Sequence, residues 1–278
     1  MKKTKYKVAL GIFIGLIFLL GILLFIPSVR SMAVMKIFSH YEYQHSVIHE
    51  EGLKIHIPGG RDTKEKDWYP FVMTYNGDRG FSRFVKEDMR LTILYNFGHF
   101  PLFESRSSFY DTNSPYYSSF YGGYGVRRVS GEPFGFEEET LHPEELVQVL
   151  EYDLTRLVLR DLGKENPHFV YEVLESEKVR LFNEEGWYRI DGKIETNGVD
   201  HQYRENRRNY IQYGKPRNTK WESEDFPLIE MIGRMYVKYD ADKNLTLAFY
   251  CLSRDIEVID AWDENILMKT VIIESNIN

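Results

Sequence analysis

A single cysteine, Cys251, stands in the 278 residues, so no internal disulfide is available. It alternates with Leu245, Leu247 and Phe249 in an apparent strand, the place of a small buried hydrophobe rather than a nucleophile. No cysteine follows the N-terminal apolar run, which excludes lipid attachment there. Also missing are a Gly-x-Ser-x-Gly elbow, a Walker-type phosphate loop and any cysteine cluster. Gly122-Gly123-Tyr124-Gly125 does not lead from an expected strand into a helix, so it is not a dinucleotide loop. His45 and His49 share a helical face, but no glutamate follows His45 and the zinc-protease pattern is absent. Neither a metal nor a cofactor is expected.

Acids are lacking from Met1 to Lys7, where four lysines stand, and charge is lacking altogether over the next 19 residues, Val8 to Ile26. As a helix that segment is about 28 Å long, close to the roughly 30 Å hydrocarbon core of a bilayer. Residues 8–26 are therefore expected to form a transmembrane helix ended by Pro27, a signal-anchor, with residues 1–7 cytoplasmic and the rest extracytoplasmic by the positive-inside rule. The competing expectation is a signal peptide cleaved near Ala33, at Ser31-Met32-Ala33, which would give a secreted product. Both export the domain. Gly11 and Gly15 are spaced for close helix packing, which allows self-association.

Without Lys2, Lys3, Lys5, Lys7 and Arg30, the remainder holds 30 cations against 42 acids, a net charge of −12. A domain so acidic repels nucleic acid, which is excluded as a principal partner. Aromatics are abundant at 15%, with 20 Tyr and 18 Phe, and favour sheet.

The fold expected is α+β: an N-terminal transmembrane helix, a juxtamembrane helix within 27–50, and one domain over 51–278 built on a mainly antiparallel sheet. The juxtamembrane stripe is Val34, Ile37, Phe38, Tyr41, His45 and Ile48, with Gly52 as its stop. Strands are expected at 53–57, 68–75 and 91–97, and hairpins at 179–195 and 229–253, turning at 183–186 and 240–244. One long helix is expected over about 143–162, with Pro143 at its first position, Glu144 and Glu145 on its dipole and Gly163 at its end. A C-terminal helix is expected over 263–275, capped by Asp263.

Two connections, 103–135 and 197–226, hold no convincing strand, and loops that long are often functional. The first carries seven aromatics in the sixteen residues from Phe109 to Tyr124, among small polar residues. That mixture suits a contact surface, since rigid rings give area at low entropic cost. The second, from Val199 to Lys220, has six cations against two acids, with tyrosines interleaved. Arginine forks there suit phosphate or carboxylate groups. The contact residues expected are Tyr110, Tyr117, Tyr121, Arg207 and Arg208. The expected function is that of a non-catalytic, single-pass binding or accessory protein of the cell envelope, contacting a protein or an anionic or glycan polymer. The alternative is an exported hydrolase of envelope glycan, with an unidentified carboxylate pair and Tyr110, Tyr117 and Tyr121 lining a sugar cleft.

Overall fold

The computed structural model describes residues 2–25, 27–60, 69, 71–97, 108–138, 140–160, 164–199 and 226–274, without the side chains of 2–5, 23–28, 30, 31 and 110. The fold is α+β with a mostly antiparallel sheet. In chain order, helices α1 (Lys2–Phe25), α2 (Pro27–Gln44) and α3 (Val47–Glu50) come first. Next are strands β1 (Leu53–His56) and β2 (Met73–Asn76), helix α4 (Asp78–Val85), and strands β3 (Met89–Phe97) and β4 (Phe120–Arg128). The short pair β5 (Phe136–Glu137) and β6 (Thr140–Leu141) leads into α5 (Pro143–Tyr152), which continues as π-helix through Asp153–Leu159. Strands β7 (Phe169–Leu181), β8 (Glu184–Asn197), β9 (Leu228–Asp240) and β10 (Leu245–Ser253) follow, then α6 (Ile256–Asn265) and β11 (Val271–Glu274).

Seven strands form the main sheet in the order β2-β3-β4-β10-β9-β8-β7, every neighbouring pair antiparallel. Two meanders, β2-β3-β4 and β7-β8-β9-β10, meet where β4 pairs β10, Tyr124 lying opposite Ala248. The period-two alternation of β3 puts Leu91 and Ile93 on the face covered by α5, and Leu94 on the face covered by α3 and α6. On that second face lie Leu245, Leu247, Phe249 and Cys251, all buried, with α6 residues Ile259 and Trp262 above them. Cys251 is thus a core residue, and burial pushes its thiol pKa well up.

Both expected hairpins form, Leu245 facing Asp240 in one and Leu181 facing Glu184 in the other. The long helix also forms, but its second half is π-helical, and its expected stop, Gly163, lies outside the described residues. The C-terminal helix needs correction. Asp255, not Asp263, caps it, accepting a bond from the Glu257 amide at 2.9 Å. The β-branched run Val271-Ile272-Ile273 leaves helix to pair with β1.

The juxtamembrane stripe needs correction as well. Pro27 opens α2 instead of ending helical structure, a position where its missing amide costs nothing. Ser46 then breaks the helix and caps α3. Ile37 is 72% exposed and Tyr41 59%, while the side chains turned inward are Met35 and Ser39. The reason is what α2 covers: an edge strand, whose outward amides want acceptors. Ser39 Oγ accepts from the Thr74 amide at 2.9 Å, and Glu42 Oε2 accepts from the Asn76 amide at 2.9 Å. Among the described residues, no helix is long and apolar enough to cross a membrane. The described side chains of α1 run from Tyr6 to Ile22, whereas the uncharged run of the sequence continues to Ile26.

Candidate functional site

Tyr117 and Tyr121 belong to the core rather than to a contact surface, at 1% and 0% exposure. The cause is the strand hidden in the first long connection: β4 sits at the centre of the sheet, and its alternating rings must pack. Tyr121 donates to the Pro58 carbonyl at 2.9 Å and meets Trp262 edge-on at 5.5 Å. Tyr117 lies under the Arg254 guanidinium, 5.7 Å from its ring centre. Buried in this way, Tyr117 and Tyr121 line no open cleft among the described residues. The Tyr110 side chain, Arg207 and Arg208 lie outside the described residues. The two long connections do approach one another, because the Val199 amide donates to Ser118 Oγ at 3.0 Å.

Two buried polar clusters lie on opposite faces of the sheet. Under the π-helical segment, Asp153 is 3% exposed and accepts from Tyr124 at 2.8 Å and, more weakly, from Tyr250 at 3.4 Å. Burial pushes its pKa from 3.8 up to about 6, with the tyrosine bonds working in the opposite direction. Under α6, the Arg234 guanidinium bonds Asp191 at 2.7 Å and both Asp260 and Asp263 at 2.9 Å. Burial opposes the Arg234 charge, but the bond to Asp191 and the other carboxylates outweighs it and raises the pKa. Tyr236 adds a bond to Asp263 at 2.8 Å. Asp153 is closed off from solvent, and the Arg234 guanidinium is mostly buried with Asp260 at the exposed edge of its cluster, so both are read as structural.

The arrangement that does open outward lies beneath α2. There a cavity of about 340 Å³ is lined by α2, α3, β1, β2 and β3, with Lys36, Tyr43, His56, Phe71 and Thr74 among its walls. That volume is at the small end of ligand pockets. Ile48, Ile55, Ile57 and Leu94 are also among its lining residues. The exposed Lys36 places its Nζ 4.5 Å from the centre of the Phe71 ring, a cation–π contact. Tyr43 is oriented by donating to the Leu53 carbonyl at 2.9 Å, and burial raises its phenol pKa.

The walls are held stiffly. Arg90 binds Glu50 at 2.8 Å and Asp78 at 2.6 Å, while Arg127 binds Glu50 at 2.9 Å and also Glu51. These pairs fasten α3 across β3 and β4. His45 and His49 do not converge: His45 Nδ1 bonds the Tyr41 carbonyl at 2.8 Å, and the His49 ring packs on Tyr43 at 5.0 Å. Among the described residues, no group of three or more His, Cys, Asp or Glu side chains is placed to hold a metal ion.

Sequence spacing placed Ile48 in the expected stripe but marked none of the cavity residues as a site. Lys36 and Tyr43 fall seven apart on α2, a real helical signal, but their partners come from 55–59, 71–74 and 94. Only the sheet brings those segments together. Comparison with known proteins gives no match: no family model, no curated protein and no solved structure is similar to this chain.

Proposed function

We propose that this chain is a single-pass, membrane-anchored binding or accessory protein of the cell envelope, with residues 8–26 in the bilayer and the α+β domain on the extracytoplasmic side. The observation that carries this reading is the unbroken apolar surface of α1. From Val8 to Leu20 every large aliphatic or aromatic side chain is more than half exposed, Phe18 at 71%. Among the described residues nothing in the folded domain covers them, and lipid is the solvent that would. Lysines before that run and none within it set the orientation.

Further support comes from the attachment of α2. Because it caps the edge of β2 through Ser39 and Glu42, the domain is fastened to the segment that follows the anchor instead of hanging from a loose linker. Partner contact is assigned to the basic 199–220 segment, with Arg207 and Arg208 as contact residues, and to the α1 face carrying Gly11 and Gly15 for self-association. No described atom lies within 4 Å of a side chain built at either glycine, so a second helix has room to approach.

Membrane fractionation tests the anchor. The full chain should resist extraction by alkaline carbonate, and its domain should be digested by protease added outside intact spheroplasts. A protein recovered in the soluble fraction, or one cleaved only after lysis, overturns the proposal. Photocrosslinkers at positions 207 and 208 should capture a partner that crosslinkers at exposed Glu184 and Glu185 do not.

A further inference from the structure

We infer that the cavity beneath α2 binds a phosphate ester of headgroup size. This rests on the anchored reading only for where the phosphate comes from. Lys36, His56, Thr74 and Tyr43 are among the residues that line the cavity, Lys36 and His56 with exposed side chains. Among the described residues, the acids nearest Tyr43 and Ile48 in the chain are already engaged: Glu42 by the Asn76 amide, Glu50 by Arg90 and Arg127, and Glu51 by Arg127. Among the described residues Lys36 forms no ion pair with a carboxylate. Its ammonium is instead pinned over Phe71 at 4.5 Å, charged and directed by a contact that neutralises nothing.

A cationic recess in a domain of net charge −12 runs against the surrounding field, and it selects an anion that the rest of the surface repels. Lysine binds phosphate as a compact point charge with rotatable donors, whereas a planar carboxylate is better served by an arginine fork. At about 340 Å³ the space is large enough for a phosphate with a glycerol-sized substituent. Lys36 stands about 14 Å along the helix axis from Pro27, against a headgroup layer about 6 Å deep. The tilt of α2 therefore decides whether the phosphate is borne by a lipid or comes from solution.

The test uses the full chain in phosphatidylcholine nanodiscs, titrated with glycerol 3-phosphate and with inorganic phosphate by calorimetry. Saturable binding of glycerol 3-phosphate is expected, weakened about tenfold in Lys36→Ala by loss of a charged hydrogen bond. His56→Ala should weaken it less, and Lys54→Ala, an exposed β1 side chain outside the cavity, should leave it unchanged. If phosphatidylglycerol nanodiscs suppress the titration in the wild type but not in Lys36→Ala, the source is lipid; if they do not, the source is soluble, and either result supports the site. No saturable binding, or binding unaltered in a Lys36→Ala protein of unchanged urea midpoint, overturns it. A chain that leaves membranes in carbonate would refute the anchor alone, and the same titration in buffer would still decide the cavity.

Discussion

The two faces of the sheet bury acids in opposite ways. On the α6 face, Asp191 and Asp263 share one guanidinium from Arg234, and Asp263 also takes a bond from Tyr236. On the α5 face, Asp153 has only phenol donors, Tyr124 and Tyr250, which stack on each other at 4.6 Å. A carboxylate with a cation beside it stays charged inside a protein, whereas one with only neutral donors holds a proton more tightly. Deeper burial of Asp153 and the lack of a cation beside it together separate the two clusters. It follows that removing the charge should help on one face and hurt on the other.

The strongest blow to the comparison is Arg234→Met. It strands three carboxylates, two of them poorly exposed, and should cost about 3–5 kcal/mol of stability in urea unfolding. A loss under about 1 kcal/mol would mean that the α6 network is solvated and the contrast false.

Asp153→Asn should act in the other direction. With a pKa of about 6 in the fold against 3.8 ordinarily, Asp153 binds its proton more tightly when folded. Its favourable contribution is complete below about pH 4 and is lost as pH rises through about 6. The asparagine variant should therefore gain about 2 kcal/mol at pH 8, a little less than the full linkage because one acceptor becomes neutral. At pH 4 that gain should vanish. Urea midpoints at the two pH values check this, and a pH-independent difference would refute it.

Tyr124→Phe removes the shorter of the two bonds to Asp153 and should cost about 1 kcal/mol near neutral pH. It should also widen the acid window, since a donor to the carboxylate is gone. Tyr236→Phe should matter least, about 0.5 kcal/mol, because Asp263 keeps Arg234. Should Tyr236→Phe prove the costlier of the two, the phenol rather than the guanidinium would be the principal partner on the α6 face.

Much of the sheet was legible in the chain itself. The alternation in β3, β9 and β10, the turn at 240–244 and the Pro143-Glu144-Glu145 start of α5 each follow from local chemistry, and each forms. The central strand β4 did not read as a strand, for a physical reason. Its glycines at 122, 123 and 125 lower β-propensity and mimic a flexible loop, yet each stands where a neighbour presses close. A side chain at Gly122 would meet the Leu94 carbonyl at 1.8 Å, and one at Gly125 would meet Ile48 at 2.7 Å. The same concealment made Tyr117 and Tyr121 resemble a contact surface, because composition cannot show which rings a sheet will cover. The cavity was hidden differently, since Lys36, His56 and Thr74 lie on three elements and share no spacing.

By itself the order of residues determined where apolar runs lie, which segments alternate and which helix begins at a proline, because those depend on neighbours within a few positions. It also determined the net charge that follows the N-terminal apolar run and the want of charge within that run. Tertiary structure alone decided that β4 joins two meanders, that α2 turns its polar side inward, and that one buried acid meets a guanidinium while another meets phenols. Those outcomes depend on contacts between residues well separated in the chain, from Tyr124 and Asp153 to Tyr124 and Ala248, and no local pattern encodes them.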